Sequence, residues 1–256
     1  MGTNKVDILF VLDASDSMKP CFDKLKQNLR QFIVTLNQAS FEVRLGLLAY
    51  HSMTVGWSIG HEHFVLSGDE VEKITNLYHP GIKEDDYFTS DLERFLRTLD
   101  TVKIEGDECT PLALDIASDF PFAPPDESRR VIILFSNEKI ETGMEVNAGD
   151  VNGKSLESFP RVLQKIAKKK IALYAYIPAS NAAAQMMRLP KSIIHSIDEG
   201  GDCWNKIDFA QVLEKMGQSI SASSLQMTRE PECEKAIYGQ DKWVTLHGER
   251  DTRDRT

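Results

Sequence analysis

The chain has 256 residues, enough to bury a sizeable core as one large domain. Hydrophobic residues at 41% and charged residues at 27% are ordinary for a globular protein and name no function by themselves. The net charge of -9 argues against a general binder of nucleic acid or anionic membranes, since both depend on Lys and Arg neutralising phosphate; a basic or neutral protein partner is more compatible.

Taken in order, the first element is residues 6–12, a near-continuous apolar run that stops at Asp13-Ala14-Ser15-Asp16-Ser17. A short run of bulky and β-branched residues ended by polar ones predicts a central strand of a parallel sheet, covered on both faces. The polar loop then falls at the carboxyl end of the strand, where open parallel sheets form their binding crevice. Asp-x-Ser-x-Ser offers one carboxylate and two hydroxyls with no soft ligand, an all-oxygen set that suits Mg²⁺ or Mn²⁺.

Phe22, Leu25, Leu29, Phe32, Ile33 and Leu36 recur at helical spacing, which predicts an amphipathic helix over 19–37. Asp16 or Ser17 is expected to cap it, with Pro20 in its first turn. Residues 41–50 read as a second strand and 63–66 as a short third, its hairpin partner. His61 and His63 fall on one side there; with no third ligand nearby they read as exposed strand histidines. A short helix over 69–78, an acidic and aromatic loop over 81–90, and a helix over 91–100 follow.

Residues 105–109 form a polar turn before a helix that Thr110 is expected to cap, with Pro111 in its first turn. Residues 130–135, apolar throughout after Arg130, end in Ser136-Asn137-Glu138, predicting a second central strand. A polar loop over 141–153 leads to a helix over 156–170, whose Lys168, Lys169 and Lys170 read as a solvated end complementing the helix dipole. A strand over 171–177, a short helix over 182–187, an edge strand over 192–197 and a last helix over 209–221 complete the body. This alternation predicts a doubly wound, mostly parallel α/β sheet with helices on both faces and one antiparallel edge strand. The expected organisation is a domain over 1–222 and a partly disordered extension over 223–256. No stretch reads as a signal peptide or a membrane span, and Cys21, Cys109, Cys203 and Cys233 are scattered, so the expected setting is reducing and cytoplasmic.

Asp13-Ala14-Ser15-Asp16-Ser17 after an apolar strand resembles the metal-ion-dependent adhesion site of von Willebrand factor A (VWA) domains, which have a Rossmann-like fold. In that family a second loop ending in Thr-Pro brings a threonine to the metal, and Thr110-Pro111 is similar to it. The third loop commonly carries Thr-Asp-Gly, and the position of its aspartate is held here by Asn137. The resemblance implies Asp13 as the charged anchor, Ser15, Ser17 and Thr110 as hydroxyl ligands direct or through water, and Asn137 as an outer acceptor. The ion would be Mg²⁺ or Mn²⁺, with one position left for a Glu or Asp of a protein partner. An amide in place of a carboxylate implies weak resting affinity for the ion, raised when the partner binds. Asp107 and Glu108 are candidates to restore the charge. Intracellular relatives often serve as adaptors alongside AAA+ ATPases or within larger assemblies, which sets the expected partner class.

Two other readings compete. The loops can simply cap helices and hydrogen-bond one another in a metal-free interaction module; the effect of Asp13→Ala on partner binding and on the fold separates the two. A strand ending in Asp also begins haloacid dehalogenase-like phosphotransferases, but those place a second Asp where this chain has Ser15. No Gly-x-Ser-x-Gly turn supports Ser15 or Ser17 as a nucleophile, and an enzyme is not expected.

Overall fold

The computed structural model describes residues 5–51, 54–58, 61–62, 87–102, 104, 110–140, 159–200 and 202–225. In chain order these form β1 (Lys5–Asp13), a 3-10 turn (Asp16–Met18), α1 (Lys19–Gln38), β2 (Glu42–His51), β3 (Thr54–Ser58), β4 (His61–Glu62), α2 (Leu92–Thr101) and α3 (Thr110–Ser118). Then come β5 (Arg129–Phe135), α4 (Phe159–Lys168), β6 (Ile171–Pro178), α5 (Asn181–Met186), β7 (Ser192–Ile197), α6 (Cys203–Lys206) and α7 (Phe209–Leu225).

The strands make one 7-stranded sheet in the order β4-β3-β2-β1-β5-β6-β7. From β2 through β7 every pairing is parallel, whereas β3 runs antiparallel to β2, and β4 to β3. The central position of β1 explains its composition. Val6, Ile8, Phe10 and Leu12 pack on one face into a core with α1, α2, α6 and α7. Leu9 and Val11 point the other way, into a core with α3, α4 and α5. A strand buried on both faces has no polar side to spare, which is why its sequence alternates so little.

The hairpin strand expected at 63–66, and with it His63, lies outside the described residues; the strand paired antiparallel to β2 is β3, which begins nine residues earlier, at Thr54. The expected helix over 69–78, the turn over 105–109 and the loop over 141–153 also lie outside them, as do Cys109, Cys233 and the chain beyond Leu225. The last helix runs to Leu225, past the expected end at 221. Neither Asp16 nor Ser17 caps α1. Both lie within the 3-10 turn, the N-cap of α1 is Met18, and neither start has a side-chain cap. The lysine run is not merely solvated either: Lys169 donates to the Ser118 carbonyl at 2.8 Å and to Asp119 at 2.6 Å, tying α4 to the end of α3.

At the amino end of β1, Asp7 is buried and takes a bidentate pair from Arg44 of β2, 2.8 Å on each arm, and the Ala123 N–H at 2.8 Å. Arg44 in turn lies over the Phe88 ring. Gly46 is required two residues on: a Cβ there would come within 2.8 Å of the Phe88 ring and 3.0 Å of the Tyr87 carbonyl. That close approach lets residues 87–90 cover the outer edge of β2, where Leu45 and Thr89 exchange backbone hydrogen bonds. No helix among the described residues is long and apolar enough to cross a membrane.

Candidate functional site

The parallel register sets the site. Asp13, the last residue of β1, lies opposite Tyr50 of β2, and Leu12 lies opposite Phe135 of β5, so the carboxyl ends of β1, β2 and β5 lie side by side. Asp13 is fully buried, and its two oxygens are used separately: Oδ1 accepts the Ser15 N–H at 2.8 Å and Oδ2 accepts the Ser136 hydroxyl at 2.8 Å. The Ser15 and Ser17 hydroxyls are 3.3 Å apart. Ser17 Oγ then faces the side-chain amide of Asn137, 3.1 Å from Oδ1 and 2.9 Å from Nδ2. Ser17 thus spends its hydroxyl across the site rather than on the helix below it.

Four of the five residues expected at a metal, Asp13, Ser15, Ser17 and Asn137, therefore lie in one network with Ser136. Thr110 joins it indirectly. Its hydroxyl is 2.8 Å from the Tyr50 hydroxyl, and the Tyr50 carbonyl accepts the Ala14 N–H at 2.7 Å. Among the described residues Thr110 makes no hydrogen bond to Asp13, Ser15 or Ser17. Asp107 and Glu108 lie outside the described residues.

Sequence reasoning missed Tyr50 and Ser136. For Ser136 a signal was available: two apolar strands that pair in parallel end together, so a polar residue after each must meet. Tyr50 read only as a strand aromatic, and its hydroxyl partner is far away in the chain. The third loop is also held from outside, because Gly200, at φ +93, donates its N–H to the Asn137 carbonyl at 3.0 Å. Only a residue without a Cβ adopts that backbone freely.

Burial holds the Asp13 carboxyl above the ordinary carboxylate range; the Ser15 and Ser136 bonds pull it down and the charge of Glu138 pushes it up again. Among the described residues Asp13 makes no ion pair, so a desolvated carboxylate sits among hydroxyls without a cation. This donor set fits a hard divalent ion. All the groups offer oxygen, and a carboxylate with two hydrogen bonds retains free lone pairs. It is not a charge-rich site: among the described residues no three His, Cys, Asp or Glu side chains are grouped to hold a metal. Beneath it Cys21, fully buried on α1, is kept a neutral thiol by burial and by the charge of Asp13.

No family model and no curated protein matches the chain. Among solved structures, its fold is similar to that in the crystal structure of the SpRpn10 VWA domain, with a TM-score of 0.51 and 13% identity over 80% of this chain and 97% of that one. The fold is thus VWA-like, a parallel sheet flanked by helices. At this identity the likeness concerns the fold.

Proposed function

We propose that the chain is a protein-interaction module that holds Mg²⁺ or Mn²⁺ at the Asp13 cluster and engages an acidic residue of a partner protein through that ion. The observation that carries this reading is the uncompensated carboxylate of Asp13, buried among the hydroxyls of Ser15, Ser17 and Ser136 at the carboxyl edge of the sheet. Asp13, Ser15 and Ser17 would hold the ion, with Thr110 reaching it once released from Tyr50 and Asn137 accepting from a metal-bound water. When bound, the ion would supply a Lewis-acidic position that a carboxylate can occupy. The residues of this chain shape the socket and keep water out of its floor. The VWA-like fold is compatible with an adaptor role, and with an AAA+ ATPase or a larger assembly as the partner. On this reading the chain is not an enzyme.

A second reading has its own support. The cluster closes on itself, since Ser17 and Asn137 satisfy each other and Asp13 has a donor on each oxygen, as a metal-free interaction module requires. Calorimetric titration with Mg²⁺, with and without a peptide bearing a single exposed Glu, tests between them. The metal reading expects weak uptake by the chain alone and tighter uptake with the peptide. Heat that stays at the dilution baseline in both refutes it and leaves the metal-free module.

A further inference from the structure

We infer that Trp204 is a positioning residue of the cation site, set beneath its first and third loops and acting on the first through Met18. This rests on the cation reading of the Asp13 cluster and adds to it the group that keeps the socket in shape.

Met18 directly follows Ser17 and closes the 3-10 turn, its N–H donating to the Ser15 carbonyl at 2.9 Å. Where Met18 sits therefore sets how Ser15 and Ser17 stand to one another. No side-chain cap steadies that turn or the start of α1. The Met18 side chain is fully buried, and the indole N–H of Trp204 donates to its sulfur at 3.1 Å. The Trp204 carbonyl accepts the Lys24 ammonium, so α1 is gripped again six residues on.

The same ring reaches the third loop. Trp204 is fully buried and meets Phe135 edge-on, with ring centroids 5.8 Å apart. Phe135 is the last residue of β5 and directly precedes Ser136, whose hydroxyl donates to Asp13. One side chain thus touches the residue after Ser17 and the residue before Ser136. The backbone beside it completes the hold: Cys203 donates its N–H to the Gly200 carbonyl at 3.2 Å, and Gly200 donates its own to the Asn137 carbonyl at 3.0 Å.

Packing alone does not account for an indole here. A buried indole N–H ordinarily finds a partner, and a thioether is a weak one; among the described residues Met18 is the acceptor that Trp204 Nε1 has. That bond has a direction, which a Phe or Leu filling the same space would lack. Groups that orient the ligands of an ion from outside weigh on its binding almost as the ligands do.

The test titrates the whole chain with Mn²⁺ well below its melting temperature, following free ion by electron paramagnetic resonance, with thermal melts in chelator beside each titration. The proteins are wild type, Asp13→Asn, Trp204→Phe, Met18→Leu, the Trp204→Phe/Met18→Leu double variant and Phe32→Leu. Trp204→Phe keeps a ring in the core and loses the N–H; Met18→Leu keeps the volume and loses the acceptor. Each should weaken Mn²⁺ binding about tenfold, the low end of what losing outer support costs a metal site. The double variant should bind no more weakly than the worse single, because both remove one contact. Phe32→Leu, in the same core but packed on Phe10, should lower the melt and leave Mn²⁺ binding unchanged. If wild type binds, Asp13→Asn does not and Trp204→Phe binds like wild type, this inference is overturned while the cation site stands. Losses that add in the double variant, or an equal loss in Phe32→Leu, overturn it as well, the first because the two residues then act separately and the second because any loosening of the core would do the same. If wild type takes up no Mn²⁺, or Asp13→Asn takes it up equally, the cation reading falls and this inference with it.

Discussion

Replacing Asp13 by Asn separates a cation socket from a self-satisfied loop cluster more cleanly than replacing it by Ala. In the Asn variant the carbonyl oxygen still accepts the Ser15 N–H, and the amide faces Ser136 Oγ, which can turn to accept it. Each charge-assisted bond becomes a neutral one, at a cost of about 1 kcal/mol apiece. Against that, a carboxylate that burial disfavours has been removed. The terms oppose, so in chelator the unfolding free energy should stay within about 1 kcal/mol of wild type. Excess Mg²⁺ should then divide the two proteins. At about 100 times its Kd the ion stabilises wild type by ~2.7 kcal/mol and the variant by nothing. For a domain of this size that is a difference in Tm of roughly 5 to 10 °C. Paired melts in EDTA and in MgCl₂, followed by circular dichroism, read it directly. Equal Mg²⁺ shifts in both proteins, or none in wild type, would refute the assignment of Asp13 as the anchor. Asp13→Ala is the weaker test because it strands the Ser15 N–H and the Ser136 hydroxyl, at about 1–3 kcal/mol each, and so mixes loss of ion with loss of fold.

The pH dependence has a definite sign. Because the folded carboxyl of Asp13 lies above its ordinary 3.8, the native state retains a proton that the unfolded chain has released. The Asp13 contribution then favours folding at low pH and is lost as pH rises from 3.8 through the raised value. In chelator, the stability of wild type relative to Asp13→Asn should fall across that window; a rise would show that hydrogen bonding outweighs burial. Asp7→Ala removes the bidentate acceptor of Arg44 and the acceptor of the Ala123 N–H and should cost about 3 kcal/mol by urea denaturation; a loss near zero would mean that the pair contributes nothing net to the fold. Tyr50→Phe removes the bond to Thr110 and should cost about 1 kcal/mol. It should also alter Mg²⁺ affinity in calorimetry, and an unchanged affinity would take Thr110 out of the site.

Much of the architecture was legible because β1 and β5 are buried on both faces, and burial on both faces leaves a continuous apolar run that ends where the loop begins. Asp91, expected within its helix, instead caps α2, and Ser180, assigned no role, caps α5; each side chain accepts the N–H three residues on. The edge of the sheet was harder to read. β3 and β4 pair through backbone groups over a few residues, and such pairing leaves little mark on side-chain periodicity. The capping role expected of Ser17 failed for a related reason: a hydroxyl beside a helix start can serve the helix or reach across a cleft. The competing partner, Asn137, lies 120 positions away. Tyr50 with Thr110, and Gly200 with Asn137, are likewise pairs that only the folded register brings together.

β1 holds one buried carboxylate at each end. Asp7 is riveted in place by Arg44, and Asp13 is held only by neutral donors among the described residues; the six residue steps from one to the other span roughly 20 Å of strand. At that separation, with no shared partner, changes at the two ends should add rather than interact. The loop end can therefore drift toward new ions or new clients while the riveted end keeps the sheet in register, and the strand serves both without compromise between them.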